Sequence, residues 1–204
     1  MKVNATIIKN HNISLKTKAT DKNTINAFLS VASGMISGCI IFLLCDENTR
    51  TAVGELFNNF FHSFIEKDSF SVLLTIIANY TTYFFAVFLF GTSIIGKNMI
   101  RLITVLKFSG LGLISSFLYY TYTLEGLEYC ILIFFSGKIV LLPASLLLIK
   151  NSMDYCDSLK HPDTVISESR NRYIIENILL GVLFLFAATA DFFFIKLFSS
   201  LFSF

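Results

Sequence analysis

The sequence has little of what a water-soluble domain is built from. Only 15% of its 204 residues are charged, it has two prolines, and it contains no tryptophan. Soluble domains carry nearer a quarter of charged residues, so a compact water-soluble core is not expected. The cysteines lack metal-ligand spacing, and neither a nucleotide-binding loop nor a Ser-His-Asp set is visible. We therefore expect no catalytic residue, cofactor or metal site, and no nucleic-acid partner.

Apolar residues are abundant and are gathered into long stretches. They make up 54% of the chain, with 23 phenylalanines. A helix of about 20 residues spans roughly 30 Å, the thickness of the hydrocarbon core of a bilayer. The pattern predicts an all-α polytopic helix bundle with five transmembrane helices, forming one membrane domain over residues 26–204. The five predicted crossings are Asn26–Cys45, Phe70–Gly91, Leu102–Tyr122, Tyr129–Ile149 and Tyr173–Leu197.

Charges between these stretches alternate in sign bias. Residues 1–25 form a basic arm, for which we expect no fixed fold. Acids dominate the segment after the first crossing and the turn Thr123–Glu128. The positive-inside rule then places the N-terminus in the cytoplasm and the C-terminus outside the cell membrane. The basic residues of the predicted inner segments are Lys2, Lys9, Lys16, Lys18, Lys22, Lys97, Arg101, Lys150, Lys160, Arg170 and Arg172.

One segment outside the crossings is amphipathic. In residues 49–66 apolar side chains recur at helical spacing, with polar side chains largely on the other side. We predict a helix that lies on the outer membrane surface between the first two crossings. The alternative is a face that binds a partner, whose candidate residues are Phe57, Phe60 and Phe64.

Four ionisable residues stand out inside the predicted crossings. We expect Lys107 about 10 Å from the inner face, where it could pair with Glu176, and Lys138 near the middle of the fourth crossing. A lysine at mid-depth costs roughly 2.5–3.5 kcal/mol on insertion scales, so it should face protein or water. For Lys138, a structural or functional polar role is expected, with Asp191 as the partner the sequence offers. For Lys107, Glu176 and Asp191 the alternative is a snorkelling or helix-end position.

Two features concern how the third and fourth crossings pack. Pro143 removes a helix hydrogen bond from the carbonyl of Ile139, which predicts either a kink repaired by polar groups or a discontinuous helix that lines a cavity. The third crossing has a face of small residues on which we expect the fourth crossing to pack closely. These are Ser109, Gly110, Gly112, Ser115 and Ser116.

Taken together, these positions resemble the stage II sporulation protein M family of integral membrane proteins. The resemblance covers about Phe70–Asp157, which includes an acidic outer turn. The five-crossing layout of the whole chain is similar as well. The residues that carry it are Asn79, Gly91, Gly96, Lys107, Gly112 and Pro143.

The chain departs from the family pattern at two places. Phe108 stands where family members usually have a first glycine after the lysine of the third crossing. Ser136-Gly137-Lys138 occupies the region where many relatives have Pro-His-Gly followed by a glutamate. At the second place the chain resembles the sporulation branch of the family, in which that motif is degenerate and the later proline remains.

The resemblance implies a non-enzymatic scaffold that localises septal peptidoglycan-degrading proteins during engulfment of the forespore. Stage II sporulation proteins D and P are the implied partners, beside membrane lipid, and a homo-oligomer is possible. The alternative is a membrane permease or transporter component that uses a broken fourth helix with a midplane Lys138.

Overall fold

The computed structural model describes the backbone of residues 2–66, 68–131, 137–160 and 166–198. Side chains are described for residues 22–59, 68–126, 128, 130–131, 137–160 and 170–197. The described backbone forms six helices, namely α1 (Lys2–Leu44), α2 (Glu47–Glu66), α3 (Ser69–Gly91), α4 (Gly96–Tyr129), α5 (Lys138–Ser158) and α6 (Ile166–Phe198).

Five of these helices are long and apolar enough to cross a membrane, which confirms the prediction of an all-α, multi-pass bundle. The membrane-length segments are Lys22–Leu44, Ser69–Gly91, Gly96–Gly126, Lys138–Ser158 and Arg170–Leu197. Below, the Leu44 end of the bundle is the end that holds Leu44 and Lys138, and the Lys22 end is the opposite one, with Lys22 and Gly91.

The first helix begins earlier than expected. Its backbone is helical from Lys2, so the basic arm continues the first crossing where we expected no regular structure. The first 33 residues contain neither glycine nor proline. A helix nucleated by the apolar segment can therefore propagate into the arm at little cost.

The predicted fourth crossing, Tyr129–Ile149, is wrong by about nine residues. Helix α4 is broken at Thr123, which has a φ of 51° and a ψ of −119°, and a second helical segment follows it to Tyr129, while α5 runs over Lys138–Ser158. Polar residues near the end of α5 contact α1 and α4, as described below. Hydropathy did not predict their place in the crossing because protein, not lipid, covers them.

The small-residue face of α4 packs against α1. A side-chain carbon on Gly38 would collide with the carbonyl of Ser109, and one on Gly112 would collide with the carbonyl of Met35. The same addition at Gly34 would lie 2.8 Å from the carbonyl oxygen of Val105. The expectation that the fourth crossing docks on this face is therefore wrong. Helix α1 occupies it because Gly34 and Gly38, four residues apart, allow the close approach.

The other half of the bundle is built by α3, α5 and α6. The ring of Tyr173 in α6 stacks on Tyr155 in α5 with centroids 4.4 Å apart, and on Phe88 in α3 at 5.4 Å. The Tyr173 hydroxyl donates to the carbonyl oxygen of Phe88 at 2.9 Å. These contacts align the antiparallel helices at the Lys22 end, which sets the register of the polar residues further along.

Helix α2 lies against the Leu44 end of α4. The rings of Phe57 and Phe117 have centroids 5.6 Å apart. Arg50 donates to the carbonyl oxygen of Leu43 at 2.8 Å, and its guanidinium lies 5.0 Å from the centroid of the Tyr120 ring. Phe57 therefore packs within the protein. Phe60 and Phe64, the other predicted members of that face, lie outside the described side chains.

Candidate intramembrane polar site

A buried ion pair joins α5 to α6. Lys138, the first residue of α5, pairs through its ammonium with Oδ2 of Asp191. Their side chains are only 12% and 3% exposed. Burying either charge alone would be costly, so mutual neutralisation is what makes this position tolerable. The predicted partnership of these two residues is present in the structure.

The hydroxyl of Tyr80 in α3 completes the site. It donates to the same carboxylate oxygen of Asp191, and the ammonium of Lys138 donates to the Tyr80 oxygen at 3.0 Å. Lys138 also lies 5.4 Å from the centroid of the Tyr80 ring. Three helices that are distant in sequence thus meet at one buried carboxylate, and we call these three residues the buried triad.

Sequence reasoning missed Tyr80. A tyrosine in an apolar stretch is usually read as packing, and nothing in its neighbourhood marks it as polar. Its distance of 58 residues from Lys138 along the chain gives no local signal. The cue available was chemical, because a buried tyrosine hydroxyl needs a hydrogen-bond partner.

Gly137 is needed where α5 meets Asp191. A side-chain carbon at Gly137 would overlap both the Oδ1 atom and the carboxyl carbon of Asp191. Among the described residues, Oδ1 of Asp191 has no hydrogen-bond partner. One side of the carboxylate is therefore bonded to Lys138 and Tyr80, and the other side lies against the backbone of Gly137.

The position of Lys138 within its helix differs from the prediction. We expected it near the middle of the fourth crossing, but it begins α5 and so lies toward the Leu44 end. Pro143 is the sixth residue of α5 and is exposed. It does not interrupt the helix, which continues to Ser158. The prediction of a break with a midplane lysine is therefore wrong for α5. Proline is best tolerated near the start of a helix, where fewer backbone bonds are lost.

A second polar pair links α3 and α4. The ammonium of Lys107 donates to Oδ1 of Asn79 at 2.6 Å. Asn79, next to Tyr80 near the midpoint of α3, is exposed, and Lys107 is half-buried. Lys107 lies eleven residues after Gly96, the first residue of α4, roughly 16 Å along the helix axis. We call Asn79 and Lys107 the exposed pair.

Lys107 and Glu176, which could pair only if their helices touched, have other partners in the structure. Glu176 instead accepts a bond from Arg172, four residues earlier on α6, at 2.7 Å. Helix α3 packs on both α4 and α6 and separates the two. Equal depth along two helices is therefore insufficient for contact, because the order of helices around the bundle decides which faces meet.

The Lys22 end holds a third polar cluster that the sequence did not predict. The amide of Asn23, which is buried, donates to Asp154 at 2.6 Å and to Asp157 at 3.0 Å. Lys97 of α4 pairs with Asp157 at 2.5 Å, and Lys150 lies 3.6 Å from Asp154. The two aspartates are three residues apart on one face of α5, which was the available signal. They follow the predicted fourth crossing, which ends at Ile149, so the sequence predicts them outside the membrane.

The described residues bring together no group of three His, Cys, Asp or Glu side chains that could hold a metal ion. Comparison with known proteins finds no matching protein family, no similar characterised protein and no similar solved structure. What the chain does must therefore be argued from the contacts described above.

Proposed function

We propose that this chain is an integral membrane scaffold that holds other membrane or envelope proteins in place. The observation that carries the proposal is the buried triad. A transport pathway needs polar groups that face a passage, whereas Lys138, Asp191 and Tyr80 are bonded to one another between α3, α5 and α6. Their arrangement favours a role in holding helices together.

The surface of the bundle supports the same proposal. Large apolar side chains are exposed along the membrane-length helices, including Phe28 of α1, Phe85 of α3 and Phe186 of α6. Within a bilayer such faces are available to lipid and to the helices of other proteins. Helix association in membranes depends on packing and on interhelical hydrogen bonds, and both kinds of surface are present on this chain.

The orientation is part of the proposal. With the basic segments in the cytoplasm, the Lys22 end faces inward, and the Leu44 end with α2 faces outward. The N-terminus is then cytoplasmic and the C-terminus outside. In this orientation α2 lies at the outer surface of the cell membrane, where it could contact envelope proteins.

The proposed setting is the engulfment stage of endospore formation, by resemblance to the stage II sporulation protein M family. Four residues that carry the resemblance occupy close contacts between helices or turns. Asn79 binds Lys107, Gly91 faces Tyr173, and Gly112 faces Met35. In that setting the partners would be stage II sporulation proteins D and P. These contacts show that the four positions help to hold the helices together. A structural role at the positions that carry the resemblance supports the proposed family setting.

Imaging in a spore-forming bacterium tests the setting. We expect a fluorescent fusion of the full chain to concentrate at the asymmetric septum, and a peptidoglycan-degrading partner to lose its septal position when the chain is depleted. Glu176→Gln is a suitable control variant because its partner Arg172 is exposed and solvated. Uniform membrane fluorescence throughout sporulation, with partner positions unchanged after depletion, would contradict the scaffold proposal.

Transport is the second candidate, favoured by one observation. Two ammonium groups, of Lys107 at the surface of the bundle and of Lys138 inside it, lie within electrostatic reach of each other and of the carboxylate of Asp191. Charged groups at membrane depth can mark an ion or proton path. Purified protein in sealed vesicles would test this, because transport requires proton or anion flux above that of empty vesicles, and Lys138→Met should abolish it.

A further inference from the structure

The charged groups of the exposed pair and the buried triad do not balance. The cluster formed by the exposed pair and the buried triad contains two ammonium groups, on Lys107 and Lys138, but one carboxylate, on Asp191. Lys138 takes that carboxylate. The hydrogen bond of Lys107 goes to the neutral amide oxygen of Asn79, and within the described part of the chain no acid pairs with it. A surplus positive charge remains at membrane depth, where an unbalanced charge is expensive.

The surplus charge is on the outside of the bundle. Asn79 is exposed near the midpoint of α3, and the bond from Lys107 to its Oδ1 holds the ammonium at that level. Leu106, next to Lys107 on α4, is also exposed. A lysine that snorkels would direct its ammonium toward a headgroup, whereas this one is directed across to the neighbouring helix.

We propose that the exposed pair is a docking site for a transmembrane helix of another protein that carries a carboxylate near the middle of the bilayer. The carboxylate would accept from the ammonium of Lys107, and the side-chain amide of Asn79 would supply a second donor. This inference rests on the proposed scaffold function and names the kind of partner helix that the scaffold would hold.

A second copy of the chain does not fit the site as well. In the membrane-length segments that the structure describes, Asp191 is buried in the triad, and Glu176 lies near the Arg170 start of its segment, paired with Arg172. Of the remaining acids of those segments, Asp154 and Asp157 lie near the end of α5 in contact with Asn23, and Glu125 lies at the Gly126 end of its segment. None presents a carboxylate at mid-depth to a neighbouring molecule.

The test uses the full chain in phosphatidylcholine vesicles with synthetic leucine–alanine transmembrane peptides. One peptide has a single central Glu, and the controls have Gln or Leu there, or Glu displaced by two turns. Association is measured by energy transfer from a fluorescent protein fused at Met1 to a dye on the peptide. We expect the central-Glu peptide to bind about tenfold more tightly than the Leu peptide, and more tightly than the Gln and displaced-Glu peptides.

Variants connect the binding to the site. Lys107→Met should remove the preference for Glu, Lys107→Arg should retain it, and the neighbouring Leu106→Ala should leave it unchanged. Equal binding of the Gln and Glu peptides, or an undiminished Glu preference in Lys107→Met with its helical circular dichroism intact, would overturn the inference. So would self-association of the chain that Lys107→Met abolishes, since the occupant would then be a second copy.

The two proposals fail separately. Peptide capture does not require a sporulating cell, so loss of the Glu preference with septal localisation intact would remove only the docking site. Uniform localisation in cells with the Glu preference retained would remove the engulfment setting and leave the docking site in place.

Discussion

Lys138 and Asp191 are separated by 53 residues in the chain, yet they form an ion pair that is almost closed to the surroundings. Lys138 begins α5, and Asp191 lies near the end of the membrane-length segment of α6. The pair therefore connects the Leu44 ends of two antiparallel helices whose opposite ends are joined by the stacked rings of Tyr155 and Tyr173. The polar contact and the aromatic contact together determine how α5 and α6 align.

Replacing one member of this pair should be more damaging than replacing both. Lys138→Met leaves a buried carboxylate without its cation, and we expect a loss of about 3 kcal/mol or more in the free energy of unfolding. The double variant Lys138→Met with Asp191→Leu should recover much of that loss. Unfolding in mixed detergent micelles, followed by circular dichroism, provides the measurement. Single and double variants of equal stability would show that the pair is not coupled.

The glycines of α4 offer a matched comparison. Gly112→Ala places a methyl group against the carbonyl of Met35, whereas Gly110→Ala, two residues earlier, meets nothing within 4 Å. We expect Gly112→Ala to separate α1 from α4 and to cost about 1–3 kcal/mol, as overpacking does. Gly110→Ala should be neutral or slightly stabilising. Thermal unfolding in detergent distinguishes the two, and equal melting temperatures would contradict the close packing of α1 on Gly112.

Asn23, although it lies in the basic arm, should contribute to the stability of the bundle. Its amide bonds to Asp154 and Asp157 connect α1 to α5, and hydrogen bonds to charged groups contribute about 1.5–3 kcal/mol. Asn23→Leu should therefore destabilise the bundle, while Lys22→Ala, on the exposed residue beside it, should have little effect. Limited proteolysis of the N-terminal segment gives the readout. Equal protection of the two variants would argue against this link.

A substitution at Phe57 tests whether its contact holds α2 against α4. Because its ring contacts Phe117, Phe57→Ala should loosen α2 without altering any membrane-length helix. The adjacent Leu56 is 70% exposed, so Leu56→Ala is the control. We expect faster protease cleavage of α2 in Phe57→Ala alone, with membrane insertion unchanged in both. Cleavage at the wild-type rate in Phe57→Ala would show that α2 is held by other contacts.

Topology can be tested with reporter fusions. A reporter that is active only in the cytoplasm should be active at Met1 and inactive after Phe204, because the basic segments favour the inner side. An insertion in the turn at Ser93, between α3 and α4, should be active as well. Activity after Phe204 would refute the five-crossing orientation.

Much of the architecture could be predicted from the sequence because it depends on a local property. Whether a stretch of about 20 residues is apolar is decided within that stretch, and the five membrane-length helices follow from it. The amphipathic pattern of α2 is equally local. The partnership of Lys138 with Asp191 could be predicted from scarcity, since few groups inside the membrane can neutralise a lysine.

The tertiary structure alone decided which faces meet. The α1–α4 contact at Gly38 and Gly112, the hydroxyl that Tyr80 directs at Asp191, and the amide of Asn79 facing Lys107 all depend on how helices are ordered around the bundle. The sequence shows depth along a helix but not the neighbour at that depth. The end of α5 could not be predicted from the sequence for the same reason. A polar residue inside a membrane protein is tolerated wherever another helix supplies its partner.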